Sequence, residues 1–235
     1  MKVEIWSDVI CPFCYIGKRN FERALAQFAD RDTLDVIWKS FQLDSSMPEE
    51  ANESYEQYLV RRKGLSNEQV KVMLQNVTHS ARQVGLDYKF DDAVMVNSHK
   101  AHCFIQFAKL HNKGNEAEER LFKAFFTDGE NIADHTTLAK LGAELGFDEK
   151  TMQDVLDDHR YAIEVNRDIQ EARNLGVNGV PFFVFNRKYA ISGAQPSHVF
   201  FETLQKSFSE WREQNPVPQL EIQQGQSCNV DGICE

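Results

Sequence analysis

The chain has 235 residues, and its 26 lysine and arginine residues stand against 36 aspartate and glutamate residues, for a formal net charge of −10. This acidic balance argues against nucleic acid or an anionic membrane surface as a partner. No apolar run approaches the ~20 residues of a membrane span, and Glu4 and Asp8 stand where a secretory signal has its apolar stretch. We therefore expect a cytoplasmic protein, in which cysteine pairs are catalytic, redox-sensing or metal-binding.

Residue patterns predict an opening strand, helix and strand, at about 2–8, 12–29 and 34–41. The middle of the chain, from about 48 to 160, shows helical periods and no convincing strand. The predicted helices in it cover 53–62, 66–84, 97–112, 115–127, 136–146 and 148–158. The closing part is predicted as a helix over 159–175, short strands at 181–186 and 188–192, and a last helix over 196–213.

Cys11-Pro12-Phe13-Cys14 lies where the first strand gives way to the first helix. A cysteine at a helix N-terminus sits beside unpaired N–H groups at the positive end of the helix dipole, which favours thiolate over thiol. Pro12 suits a first helical turn, and Cys14 is placed to attack a mixed disulfide formed on Cys11. The alternative is half of a zinc site, but the strand-to-helix context favours redox chemistry.

The residues between the two cysteines shape this expectation further. Neither the Pro12 nor the Phe13 side chain donates a hydrogen bond or carries positive charge, so we expect the helix terminus to be the only influence that activates Cys11. A less stabilised thiolate indicates a less oxidising couple. We expect Phe13 to pack against substrate or the rim of the site.

Four separated segments carry a family resemblance: Trp6-Ser-Asp-Val-Ile-Cys-Pro-Phe-Cys-Tyr-Ile-Gly, Asn97-Ser-His-Lys-Ala-His, Phe125-Phe-Thr-Asp-Gly-Glu-Asn-Ile-Ala-Asp, and the Val-Pro and Ser-Gly-Ala-Gln region near 180–195. With these motifs in this order, the chain resembles the DsbA-like thioredoxin superfamily. Within it, the resemblance is to FrnE-type disulfide oxidoreductases, which are related to 2-hydroxychromene-2-carboxylate isomerases and kappa-class glutathione transferases.

The resemblance implies an α/β architecture, namely a thioredoxin fold with an inserted all-helical domain. Residues 1–47 and 160–214 would form the discontinuous thioredoxin-like domain, residues 48–159 the helical insertion, and residues 215–235 a C-terminal tail.

The resemblance also implies substrate-binding residues. Base rates alone predict a trans peptide before Pro181, whereas the family implies a cis proline that faces the dithiol, with the backbone of Val180 pairing with an extended substrate. Asn97 and His102 match the family's Asn-Ser-x-x-Ala-His segment and are expected to line the cleft between the domains.

The tail holds a second cysteine pair, Cys228 and Cys234, with five intervening residues where some FrnE-like proteins have four. Three interpretations stay open: an auxiliary redox pair that exchanges with the dithiol, a local disulfide, or a pair that binds metal or has no role. Acidic neighbours disfavour a thiolate there, so we expect Cys234 to be a poorer nucleophile than Cys11.

A further group, His99, His102 and Cys103, shares one helical face. Because no carboxylate or second cysteine lies near it in sequence, we predict no metal site, and Cys103 is expected to be a buried core thiol.

Two functions of different kinds follow. The first is a thiol-disulfide oxidoreductase, with isomerase activity as a variant, acting on disulfide- or thiol-containing proteins or small thiols. The second is a glutathione-dependent isomerase or transferase, whose family members characteristically have serine at the position of Cys11. We expect no tightly bound cofactor, glutathione as a candidate redox partner, and a monomer or homodimer; a zinc-binding or interaction module is the least favoured interpretation.

Overall fold

A four-stranded mixed sheet positions the dithiol. The computed structural model describes residues 1–48 and 53–216 of the chain. The sheet strands are β1 (Lys2–Ser7), β2 (Asp35–Ser40), β5 (Phe182–Phe185) and β6 (Tyr189–Ser192). Their order is β2-β1-β5-β6, with β1 parallel to β2 and antiparallel to β5, and β5 antiparallel to β6. This confirms the thioredoxin-like arrangement of the predicted strands.

Helices make up most of the rest of the described chain. They are α1 (Pro12–Gln27), α2 (Tyr55–Lys63), α3 (Asn67–Gln83), α4 (His99–Leu110), α5 (Gly114–Lys123), α6 (His135–Glu144), α7 (Glu149–Leu156), α8 (His159–Asn174) and α9 (Ser197–Gln214). Side-chain caps explain several starts: Ser54 and Ser66 form capping boxes, and Asp134 and Asp148 each accept an N–H of the first turn.

The insertion departs from the sequence prediction in two places. The prediction of no strand between 48 and 160 is wrong in one detail, because β3 (Glu53–Ser54) pairs antiparallel with β4 (Val94–Met95). The helix predicted over 115–127 ends at Lys123 and continues as a π-helical turn, Ala124–Asp128, which closes at Gly129 with a φ of 67°. Helices α2 to α7 all fall within the proposed insertion, whose limits stay a prediction.

Separate apolar clusters stabilise the sheet and the insertion. Phe21 of α1, Phe183 and Phe185 of β5, and Phe200 of α9 are buried together on one face of the sheet. In a larger apolar cluster the inserted helices pack against one another, and this cluster includes Cys11 and Cys14 at the start of α1. The dithiol therefore lies at the meeting point of the sheet and the insertion.

Asp168 of α8 connects these regions through hydrogen bonds. Its carboxylate accepts bonds from the Ser40 amide at 3.0 Å, Gln106 Nε2 at 2.7 Å and Lys39 Nζ at 2.8 Å. Its backbone carbonyl accepts a bond from Trp6 Nε1 at 2.9 Å. One residue thus joins β1, β2, α4 and α8.

None of the helices within residues 1–48 and 53–216 is long and apolar enough to span a membrane.

Candidate active site

Cys11 stands at the N-terminus of α1. Its backbone is extended, with φ −93° and ψ 113°, and helical geometry begins at Pro12. The thiol is 5% exposed, and its Sγ donates toward the carbonyl oxygen of Val180 across 3.6 Å. No acidic residue lies in the first turn of α1, so no carboxylate of this turn offsets the positive end of the helix dipole beside Cys11.

Cys14 is fully buried one turn into the helix. Burial raises the pKa of its thiol well above the ordinary value, and the neighbouring Cys11 raises it further, while the Asp8 backbone and Ser7 act in the opposite direction. The two thiols do not form a disulfide in this structure. The two thiols therefore differ in position: Cys11 stands at the helix terminus beside Val180, and Cys14 lies fully buried behind it.

Pro181 faces the dithiol from the loop before β5. The Val180–Pro181 peptide is cis, as the resemblance implies. Gly17 of α1 allows the close approach, because a Cβ there would lie 3.0 Å from Pro181 Cγ and 3.4 Å from the Phe183 ring. The Val180 carbonyl is thereby held beside Cys11, where an extended substrate would pair with the backbone.

A buried polar cluster lies behind Cys14, formed by Ser7, Asp8, His102 and Glu118. All four are at most 1% exposed. His102 Nε2 lies 3.4 Å from Asp8 Oδ1, but neither ring nitrogen makes a well-aligned hydrogen bond, and Ser7 Oγ and Glu118 Oε1 also lack one. Buried polar atoms without a partner are uncommon, and a redox or catalytic role is one of the explanations for them.

Two members of this cluster, Glu118 and His102, have pKa values raised by their surroundings. Burial raises the pKa of Glu118, partly offset by Ser7 and His102. Burial alone would lower the pKa of His102, but the Asp8 carboxylate outweighs this and raises it overall. Ser7 lowers the pKa values of both Cys14 and Glu118, so its hydroxyl lies close to both groups.

An apolar cavity of about 430 Å³ opens beside Cys11. Tyr55, Leu59, Met73, Val77 and Met95 are among the residues of the insertion that line it. Phe13 lies at its edge and is 45% exposed. The cationic side chains of Arg62 and Lys63 also line it. This size lies within the usual range of small-molecule sites.

Asn97 and His102, the two residues predicted to line the cleft, differ in their surroundings. Asn97 holds the connection before α4: its side chain donates to the Met47 carbonyl at 2.7 Å and accepts from Gln42 Nε2 at 2.9 Å. His102 lies in the buried cluster and not at the surface of the cleft, because its ring packs against Asp8.

The other predicted site residues have varied outcomes. Cys103 is buried as expected, and burial raises its pKa to about 12. Within the part of the chain that the structure describes, no three His, Cys, Asp or Glu side chains come together as a metal site. Cys228 and Cys234 lie outside the described residues.

Sequence reasoning did not identify Ser7, Glu118, Tyr55 or Tyr88 as site residues. Only Ser7 lies beside a motif, directly before Asp8 in the Trp6-Ser-Asp segment. The other three come from the insertion and have no local signature.

Comparison with known proteins agrees with this geometry. The family description "DSBA-like thioredoxin domain" matches residues 2–205. The fold superimposes on a probable DsbA oxidoreductase of Streptomyces coelicolor with a TM-score of 0.84 and 34% identity, over 100% of this chain and 98% of that one. The uncharacterised protein YwbO of Bacillus subtilis is 28% identical over 204 residues, 84% of this chain and 92% of its own length.

A more distant similarity shows the fold alone. The structure of DsbM of Pseudomonas aeruginosa, described as a cytosolic disulfide reductase, is 16% identical with a TM-score of 0.64, covering 89% of this chain and 100% of that one. DsbM has also been solved with GSH.

Proposed function

Because the chain belongs to the DSBA-like thioredoxin domain family, we propose that it is a cytoplasmic, FrnE-type thiol-disulfide oxidoreductase that uses Cys11 and Cys14. The observation that carries the proposal is the asymmetry of the two thiols at the start of α1. Cys11 lies at the helix terminus next to Val180, whereas Cys14 is fully buried and its pKa is raised.

The reaction follows from these positions. The Cys11 thiolate attacks one sulfur of a substrate disulfide, and the other substrate sulfur leaves as a thiolate. Cys14 then loses its proton to the buried polar cluster beside it, attacks Cys11 Sγ and releases the second substrate sulfur, which leaves as a thiol. The substrate disulfide is reduced to two thiols, and the Cys11–Cys14 pair is oxidised to a disulfide. In the reverse direction the same steps oxidise a dithiol.

The cavity beside Cys11 supports a substrate with an apolar part next to its disulfide. Its lining is mostly apolar, and Arg62 and Lys63 favour an anionic group nearby. Disulfide-containing proteins and small disulfides both fit this description. We propose glutathione as the redox partner and no tightly bound cofactor; the protein would act as a monomer or homodimer.

The glutathione-dependent isomerase or transferase is the second candidate, and the size of this cavity favours it. Against it stands Cys14, which gives Cys11 a resolving partner that such an enzyme does not need.

Insulin reduction tests the proposal. Cys11→Ser should abolish activity, because serine does not exchange with disulfides, and Cys14→Ser should accumulate mixed disulfides visible by mass spectrometry. Cys103→Ser is the matched control, since Cys103 is also a buried free thiol, and it should retain activity. Full activity in Cys11→Ser would refute the proposal.

A further inference from the structure

Two tyrosine hydroxyls of the insertion bond to the backbone on either side of Cys11. Tyr55 donates to the carbonyl oxygen of Ile10 at 3.2 Å, and Tyr88 donates to the carbonyl oxygen of Pro12 at 2.7 Å. Both tyrosines are buried. The nucleophile is therefore bracketed by two contacts of the same kind, both from outside its own helix.

These two hydrogen bonds change the electrostatic potential close to Cys11 Sγ. Ile10 is 2% exposed, so its carbonyl depends on a protein donor, and each carbonyl oxygen carries partial negative charge near Cys11. A hydroxyl proton at each oxygen offsets that charge. Both phenols lie within electrostatic range of the sulfur, since charge on Cys11 is among the causes that raise the pKa values of Tyr55 and Tyr88. With raised pKa values, both keep the proton they donate.

The aromatic surroundings hold both rings in place. Tyr88 stacks on Phe126 with centroids 4.6 Å apart, and Tyr55 packs against Phe90 at 4.9 Å. Phe126 belongs to the π-helical turn that interrupts the predicted helix, and its carbonyl accepts the Lys89 amide at 2.7 Å. Turns of this kind frequently occur at functional sites. Here the π-helical turn places the Phe126 ring against Tyr88, whose hydroxyl contacts the Pro12 carbonyl.

We propose that Tyr55 and Tyr88 are positioning residues that favour the Cys11 thiolate by donating hydrogen bonds to the carbonyls flanking it. This inference rests on the proposed function and identifies what tunes the dithiol, since the side chains of Pro12 and Phe13 supply no donor. The insertion thereby sets the reactivity of a cysteine that belongs to another part of the chain.

Phenylalanine substitutions test it, because they remove only the hydroxyl. In Tyr55→Phe and Tyr88→Phe, the alkylation rate of Cys11 in the reduced protein should fall by about threefold at mildly acidic pH, and by about tenfold in the double variant, as expected for one modest hydrogen bond each. The midpoint of alkylation against pH should move upward. The equilibrium with glutathione should shift towards the protein disulfide by a similar factor, because the reduced form is less stabilised.

Tyr15→Phe is the matched control. Tyr15 is also buried, and it lies in the same aromatic cluster, but its hydroxyl donates to Glu119 at 2.6 Å. This variant should lose stability without moving the pH midpoint or the glutathione equilibrium. Circular dichroism and thermal unfolding of each variant separate loss of fold from loss of tuning, and Tyr88→Phe carries the test if Tyr55→Phe does not fold.

Unchanged alkylation and glutathione equilibrium in folded Tyr55→Phe and Tyr88→Phe would overturn the inference, as would an equal shift in Tyr15→Phe. Either result leaves the proposed function standing, because that function fails only if activity survives without Cys11.

Discussion

Glu118 and Glu119 are consecutive residues of α5, yet their surroundings shift their pKa values in opposite directions. Glu119 accepts hydrogen bonds from Tyr15 and Arg19 and forms an ion pair with Lys18. Because these partners outweigh the effect of burial, the pKa of Glu119 is lowered to about 2. Glu118 is 1% exposed, leaves Oε1 unpaired, and has a raised pKa because of burial.

The two carboxyl groups, although adjacent on α5, are therefore suited to different roles. Glu119 fastens α5 to α1 through charges that stay ionised. Glu118 is buried beside Ser7, Asp8 and His102, and a carboxyl group with a raised pKa is suited to accept a proton. The neighbours, and not the residue type, decide which use applies.

Removing the fastening carboxylate should have the largest effect on stability. We expect Glu119→Gln to lower the free energy of unfolding at pH 7 by about 2 kcal/mol, which is the linkage value of the pKa shift discounted for the partial exposure of the group. Lys18, only 1% exposed, loses one of its two carboxylate partners. Urea unfolding measures the change. Glu116→Gln, an exposed position of the same helix, should stay within about 0.5 kcal/mol of the native protein; an equal loss there would show that helix charge alone is responsible.

Removing the proton acceptor should have its main effect on chemistry. We expect Glu118→Gln to slow the attack of Cys14 on the mixed disulfide by about tenfold, at the lower end of general acid–base effects because His102 and Asp8 remain. Single-turnover release of substrate thiol from the Cys11 mixed disulfide measures this step over a range of pH. The same substitution one residue later, Glu119→Gln, is the control and should leave the step nearly unchanged. If the two variants slow it equally, the proton does not pass through Glu118.

The smallest expected effect is on the pH dependence of the free energy of unfolding, to which Glu118 and Glu119 contribute with opposite slopes. Glu119 has a lowered pKa in the folded protein, so its contribution is present above the ordinary glutamate value of about 4.3 and is lost as pH falls towards 2. Glu118 has a raised pKa, so stability is highest below about 4.3 and declines as pH rises.

Unfolding measured across this range should therefore show the deficit of Glu119→Gln shrinking towards pH 2. Glu118→Gln should gain on the native protein as pH increases. Parallel curves for the two variants would contradict the distinction between the two carboxyl groups.

The candidate redox site could be located from sequence because the two cysteines that define it are close together in the chain. Cys11 and Cys14 are defined by their spacing and by the strand-to-helix junction, and Pro181 by the family resemblance. The motif predicts His102 in the cleft between the domains, whereas the structure buries it beside Asp8, a residue distant in sequence. Glu118 belongs to a helix whose pattern shows only an amphipathic surface.

Two structural details also lie beyond local pattern. A two-residue strand such as β3 is shorter than any alternation that a sequence can reveal. The π-helical turn after Lys123 depends on how Phe125 and Phe126 pack against Tyr55 and Tyr88, which no helical period records.

The hydrogen bonds of Asp168 limit how this protein could be shortened. Gln106 belongs to the insertion, yet it is one of the groups that compensate a carboxylate buried against β2. A minimal protein with residues 48–159 replaced by a short loop would lose this donor and the two tyrosines that contact the redox loop. Design of a smaller redox module from this chain would therefore have to redesign the interior of the sheet as well as its connections.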